Sequence, residues 1–489
     1  MKRLALFLSL VLVFSLALAV PVAAKEKKIR GYVTKIISST EFEIEDYRIT
    51  KDASLVFEFE KDDDNPAADF NPNDVRVGTE LEIRGEYNEQ TGELRAKSIK
   101  VVLEETKKIK RTALLERAPA IRRTPDGWEG IFFADGQKIQ VASTTQVLFK
   151  LNRSEKKVAK EKEKKEKKPK GDIEQRLEDF DVRPLESIDQ IGPNTFMNYE
   201  GARQPDGIIL AKKVEFTRNE LEQGEAKMWK DLSPKVKDPN FAQFKPGELA
   251  IKKVGKFKLV PSAEAQNYIE RLGQSLIPAY QRSLPPGDPN KVPFRFFLVQ
   301  DKSANAFALP NGTIVVFSGM LGILENEAQL AAVMGHEISH SIQEHTRLQQ
   351  EYHRGKRTAM KVGAFAASAM GYGSVANILN LIESAIRNGY SRGLENQSDR
   401  NALGYMIETG YDIREAPKVW KLMAKKFGQQ PTNFFYSSHD NHTKRRSYLM
   451  SELSANYPDV DYSALHTNEV EYDRIARLVV DITTKKKKK

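Results

Sequence analysis

The sequence contains no cysteine in 489 residues. That absence excludes disulfide bonds, thiolate metal sites, thiol catalysis and a lipid anchor on an N-terminal cysteine. Any metal must then be held by imidazoles and carboxylates. Histidine is scarce as well: the chain has seven, three of them between positions 336 and 345. The lysine-rich tracts at 156–170 and 485–489 lack aromatic residues. Single-strand nucleic-acid binding wants aromatics among the basic residues, so no nucleic-acid partner is expected. The tracts carry much of the net charge of +10 and are expected to be solvated and flexible. Weak contact with an anionic membrane or envelope surface is the alternative. Charge is missing from residues 362–382, which raises the question of a membrane span. That stretch is rich in Gly, Ala, Ser and Asn, so its hydropathy is weak for one.

With 40% hydrophobic and 29% charged residues the rest reads as a soluble chain of about two to four domains. Residues 1–24 have the layout of a signal peptide: a basic start, an apolar run, then Val22-Ala23-Ala24 before charged Lys25. Export with cleavage after Ala24 is expected, to a periplasmic or other extracytoplasmic location, and a retained anchor is the alternative.

The following part repeats itself. "YRITKDASLVFEF" from residue 47 is echoed by "KIQVASTTQVLFKL" from residue 138. "VGTELEIRGEYNEQTGELRAKSIKV" from residue 77 is echoed by "IGPNTFMNYEGARQPDGIILAKKVEF" from residue 191. Short alternating runs separated by Gly- and Asn-containing turns are hairpin signals. They predict two small all-β, OB-like barrels, at 29–104 and 110–218, with a Lys/Glu-rich insertion at 155–172. Each is expected to hold its own core, so that the remainder stands without them, and to serve binding or spacing. From about 245 to 480 the pattern is mainly helical, followed by a lysine-rich tail at 481–489. The expected fold is multidomain α+β. Residues 263–277 read as an amphipathic helix, "VPFRFFLVQ" as a buried strand, and "NAFALPNGTIVVFSG" as two strands around a Pro-Asn-Gly turn. Residues 325–345 read as a long helix.

Within that helix lies "HEISH". Residues four apart on a helix share a face, so His336 and His340 can direct two imidazoles to one ion. Glu337 sits beside them, placed to hold a water, which is the spacing of zinc hydrolases. His345, nine residues after His336, falls about 180° round an unbroken helix and is not expected to help. A third ligand must come from elsewhere, and "SRGLENQSDRNALGYM" offers Glu395 with Asp399 one turn later. Glu395 would complete a His2Glu set, and Asp399 could accept the other ring N–H of a ligand histidine. An exposed charged helix face is the alternative for that pair.

Taken together, these segments resemble the HtpX/BepA-type zinc metallopeptidases, a gluzincin family. The matching residues run from Asn305-Ala306-Phe307-Ala308-Leu309-Pro310 through His336-Glu337-Ile338-Ser339-His340. They continue with Ser391-Arg392, Glu395, Asp399, His439, His442 and Arg445. Ser398 stands where the family usually has Ala, and Asp440 where it usually has Pro. The resemblance implies a metalloendopeptidase with one Zn2+, bound by His336, His340 and Glu395, and Glu337 as general base. It implies that His439 or Arg445 faces the developing oxyanion, and that the strand at Asn305, Ala306 and Phe307 takes substrate as an added strand. It also implies polypeptide substrates, unfolded or misassembled envelope proteins in particular. Were residues 362–382 to cross a membrane once, Glu395 would lie on the far side from His336, so a buried helix or helical hairpin is expected there. Two other functions remain: a non-catalytic binding protein on a peptidase scaffold, and a hydrolase of non-protein amides.

Overall fold

The computed structural model describes residues 25–44, 47–59, 75, 77, 79–101, 109–165, 182–204, 207–221, 223–243, 245–349, 390–427 and 442–484. The expected signal peptide, residues 362–382, His439 and the terminal lysine tract lie outside the described residues. Among the described residues no helix is long and apolar enough to cross a membrane. The chain divides into two compact units, 1–103 and 104–489.

The first unit is a β-barrel built from β1 (Lys25–Ser38), β2 (Glu41–Ile44), β3 (Tyr47–Lys51), β4 (Phe57–Phe59), β5 (Glu80–Asn88) and β6 (Glu93–Val101). Strand order is β3-β2-β1-β5-β6-β4, and a parallel β3–β6 pairing closes five of the strands on themselves. Alternation places Leu94, Ala96, Ile99 and Val101 of β6 inside, against Val33, Ile49, Leu81 and Ile83. A period of two in the sequence thus becomes one buried and one wet face.

The second unit opens with the same connectivity. Its strands are β7 (Ile109–Leu114), β8 (Ile121–Thr124), β9 (Gly127–Ala134), β10 (Gln137–Val141), β11 (Gln146–Lys150), β12 (Val182–Pro184), β13 (Thr195–Arg203) and β14 (Ile209–Arg218). β10 and β11 both run parallel to β14, as β3 and β4 do to β6. β13 pairs antiparallel with β14 and β7, as β5 does with β6 and β1. The repeat legible in the sequence is therefore a repeat of topology. Part of the Lys/Glu tract is ordered as helix α1 (Arg153–Lys165), contrary to the expected flexible stretch. The reason is local: the Asn152 and Glu155 side chains accept from each other's backbone N–H, a capping box, ahead of strong helix formers.

This second sheet is not a free-standing module. It has a core of its own around Ile139, Met197, Val214 and Phe216. Yet Leu114 and Phe196 belong to the large core of the helical part. The backbone N–H of Leu114 donates to the Gln343 side chain at 2.7 Å. The β9–β10 turn is a two-residue Asp135-Gly136 hairpin with both φ angles positive (55° and 65°), and its tip is buried against a helix of the helical part. The expectation that everything after residue 218 stands alone is corrected by these contacts.

The helical part contains α2 (Ala263–Leu276), α3 (Glu327–Ile342), α4 (Arg392–Glu408), α5 (Glu415–Phe427), α6 (His442–Asn456) and α7 (Glu469–Thr484). A small sheet orders β15 (Arg295–Val299), β17 (Thr313–Phe317) and β16 (Ala306–Ala308), with β16 at the edge, antiparallel to β17. Every residue of α3 is buried. It starts at Asn326, whose side chain caps Gln329 N–H and whose amide, like that of Gln329, donates to Glu415 of α5. Gly335 lets α4 come close, since a Cβ there would lie 3.3 Å from Ala402. Two helices so tightly apposed fix the site between them.

Candidate metal centre

Helix α4 carries an unusual inward face. Glu395, Gln397, Ser398, Asp399, Arg400 and Asn401 are all buried. Buried polar groups persist only with partners, and most of these meet histidines or charges from α3, α6 and the second sheet.

His336 and His340 share one face of α3, with their Nε2 atoms 2.9 Å apart. Glu395 of α4 puts one carboxylate oxygen 3.3 Å from His336 Nε2 and the other 3.7 Å from His340 Nε2. Among the described residues this is a group of three potential ligand atoms within 4.8 Å of one another, all from buried residues. Two imidazoles and a carboxylate converging in a buried place fit a divalent cation of zinc type.

Asp399 sits one turn beyond Glu395, and its Oδ1 lies 2.9 Å from His336 Nδ1. A carboxylate there accepts the Nδ1 proton and leaves Nε2 toward the ion. Burial opposes the Asp399 charge, but Arg445 and His336 outweigh it and hold the carboxyl below its usual range. Burial and Arg445 also oppose a charged His336, yet its bonds to Asp399 and Glu395 prevail and raise it to about 9. Proton and metal therefore compete at this imidazole.

Arg445 of α6 is brought to the site with 1% exposure, but its position differs from the expected oxyanion donor. Its Nε donates to Asp399 at 2.8 Å, Nη2 donates to the same carboxylate, and Nη1 donates to Glu395 at 3.3 Å. The guanidinium lies 3.6 Å from the Trp420 ring centre. A fork engaged on two carboxylates and stacked on an indole is a strut for the ligands.

Glu337 is 2% exposed and lines a cavity of about 20 Å³ with His336, Asp399 and Trp420. That is room for about one water. Asn305, Ala306 and Phe307 occupy the edge of the small sheet, which packs against α3. Their side chains are all buried: Phe307 packs tilted against Phe257 and edge-on against Phe317, and Ala306 belongs to the main core. Only backbone groups of this strand could meet a substrate. Asn305 Nδ2, buried, has no hydrogen-bond partner among the described residues.

Sequence reasoning missed two neighbours of the ligands. Tyr390 stacks on His340 at 4.3 Å between ring centres, and its N–H donates to Glu395. His345 was expected on the far side of the helix, but α3 ends at Ile342 and Glu344 takes a φ of 52°. The chain turns back, and His345 Nδ1 comes 2.6 Å from His340 Nδ1. Burial pushes the His345 imidazole down to about 4, so it is neutral.

Residues 263–453 match the model of peptidase family M48. This segment is a peptidase family M48 domain. Residues 30–100, within the first barrel, match a domain of unknown function, DUF5666. A putative beta-barrel assembly-enhancing protease of Vibrio cholerae is 28% identical over 167 residues, 33% of each chain. The beta-barrel assembly-enhancing protease of Escherichia coli is 28% identical over 169 residues, again 33% of each. The mitochondrial metalloendopeptidase OMA1 of Arabidopsis thaliana is 28% identical over 165 residues, 33% of this chain and 32% of the other. The chain thus spans about a third of the length of the curated relatives it matches. The M48 domain spans α2 to α6 and so contains His336, Glu337, His340, Glu395, Asp399 and Arg445.

Proposed function

We propose that this chain is a zinc metalloendopeptidase of the cell envelope that cleaves unfolded or misassembled proteins. The observation that carries this reading is the convergence of His336, His340 and Glu395 with Glu337 beside a one-water cavity. His336, His340 and Glu395 would hold the ion, with Asp399 and Arg445 fixing the donor atoms. The chemistry a bound zinc supplies is Lewis acidity toward a carbonyl oxygen and toward water. Glu337 takes the proton of a water held in the cavity and returns it to the departing amine. β16 offers its outer backbone edge to an extended substrate, a mode that is tolerant of side chains and suits non-native chains. His439, implied by resemblance, would donate to the oxyanion in place of the engaged Arg445. The first barrel, OB-like in its closed five-stranded connectivity, would bind or space, and the lysine-rich tracts would touch anionic surfaces. The signal-peptide layout of residues 1–24 supports an exported location.

Degradation of an unfolded substrate such as casein, measured with and without a chelator and after zinc is returned, tests this reading. Chelator-sensitive cleavage restored by zinc is expected. Binding of casein without cleavage by the zinc-loaded protein would overturn it in favour of a non-catalytic binding protein.

A further inference from the structure

The second sheet reaches the metal centre through an unbroken buried chain of side chains. Asp135, at the tip of the β9–β10 hairpin, accepts from Gln397 Nε2 at 2.7 Å. The same nitrogen donates to the Thr112 carbonyl at 3.1 Å, also from the second sheet. The Gln397 Oε1 lies 2.8 Å from His345 Nε2. His345 Nδ1 in turn lies 2.6 Å from His340 Nδ1. Asp135, Gln397, His345 and His340 are each at least 97% buried.

With both imidazoles neutral, the hydrogen-bonding inventory allows one arrangement of protons along this path. A carboxylate and a backbone carbonyl only accept, so the Gln397 amide must turn its NH2 toward Asp135 and Thr112. Its oxygen then faces His345, whose Nε2 must carry the proton. In a neutral imidazole, Nδ1 of His345 is then an acceptor. The Ser398 hydroxyl, 3.4 Å away, faces the same lone pair. The proton between His345 and His340 therefore belongs to His340 Nδ1. His340 Nε2 is left as a lone pair, pointing to His336 Nε2 and Glu395.

We propose that Asp135, a residue of the second sheet, is a positioning residue for the metal centre. Through Gln397 and His345 it selects the His340 tautomer whose Nε2 can bind metal. The proposal rests on the assignment of His336, His340 and Glu395 as metal ligands. It gives the second sheet a task inside the peptidase: it closes the hydrogen-bond shell of one ligand. Outer partners of this kind are worth about 10–100-fold in metal affinity. Ser398 acquires a role as well, as a second donor that holds His345 Nδ1 in the accepting state.

The test uses the full-length protein with 15N-labelled histidine, stripped of metal, and reads the tautomers directly by long-range 1H–15N correlation. The wild type should show His345 protonated at Nε2 and His340 at Nδ1. In Gln397→Leu, Asp135 keeps its bonds to Arg400 and Tyr199, so the fold should be retained by near-ultraviolet circular dichroism. That variant should show mixed tautomers and bind zinc about 10–100-fold more weakly. Asp135→Asn, whose amide can present either end to Gln397, should change both readouts in the same direction. A wild-type His340 protonated at Nε2 without metal would overturn the proposal, whatever the variants do. So would zinc affinity unchanged in folded Gln397→Leu or Asp135→Asn, and that result would leave the metal-site assignment intact. Wild-type protein that fails to bind zinc at all would instead remove the assignment on which the proposal rests.

Discussion

Arg400 of α4 donates through Nε to the Asp135 backbone carbonyl at 2.8 Å and through Nη2 to its carboxylate at 2.7 Å. Both side chains are essentially inaccessible, 1% and 0% exposed. The hairpin and the helix that carries Glu395 are thus joined by a buried, fork-like charge pair. Breaking one partner of such a pair strands the other in a low dielectric. Arg400→Ala is expected to cost about 3–5 kcal/mol in denaturant unfolding. Deleting 109–218 should leave an insoluble remainder, whereas deleting 25–101, which has a core of its own, should leave a soluble one. Equal solubility of the two truncations would contradict the shared core.

Gly136 tests the same contact from the backbone. A Cβ at this position would fall 2.4 Å from the Arg400 Cβ, and its φ of 65° already disfavours other residues. Gly136→Ala should cost about 2–4 kcal/mol, combining left-handed backbone strain with overpacking. A thermal midpoint matching wild type would show that the hairpin tip has room to move.

Glu116 makes stability depend on pH. Burial raises its carboxyl from an ordinary value of 4.5 to about 7, against the bonds from Tyr405 and Gln343. Between those two values the folded protein holds a proton that the unfolded chain has released. Stability contributed by this group is therefore present below about 4.5 and lost as pH rises through about 7. Glu116→Gln, which keeps the acceptor oxygen, should flatten the fall in thermal midpoint between pH 4.5 and about 7, the window of this titration. An unchanged slope would mean that other groups set the pH dependence.

Arg445→Lys separates charge from geometry. Lysine keeps the positive charge but cannot span Asp399 and Glu395 as a fork or stack as well on Trp420. Zinc affinity, measured by competition with a chromophoric chelator, should fall about 10–100-fold. Unchanged affinity with a lower catalytic rate would return Arg445 to the oxyanion role that resemblance implies.

How much of this was legible beforehand follows from the range of each interaction. His336 with His340, and Glu395 with Asp399, are pairs four residues apart, which helical geometry alone brings together. The strands of the two barrels were legible because a period of two and Gly-containing turns are local signals. Their parallel pairings were not legible, because hairpin signals are local and these pairings join distant strands. His345 was misplaced because a single left-handed residue, Glu344, ends the regular geometry on which the angular estimate relied. Asp135 and Arg400 stand 265 residues apart, and nothing in either segment's spacing announces the partner. An Asp-Gly hairpin signals a turn, not what the turn will touch. Helix α1 was missed because composition was weighed over the Asn152 and Glu155 capping signal.

Glu337→Gln tests most directly whether Glu337 acts as a base beside one ion held by His336, His340 and Glu395. Zinc content and casein cleavage are measured on the same preparation. The variant should keep wild-type zinc and fold while losing at least about a hundredfold in rate, the usual scale for a general base. Proteolysis near the wild-type rate from a fully zinc-loaded Glu337→Gln protein would contradict the account.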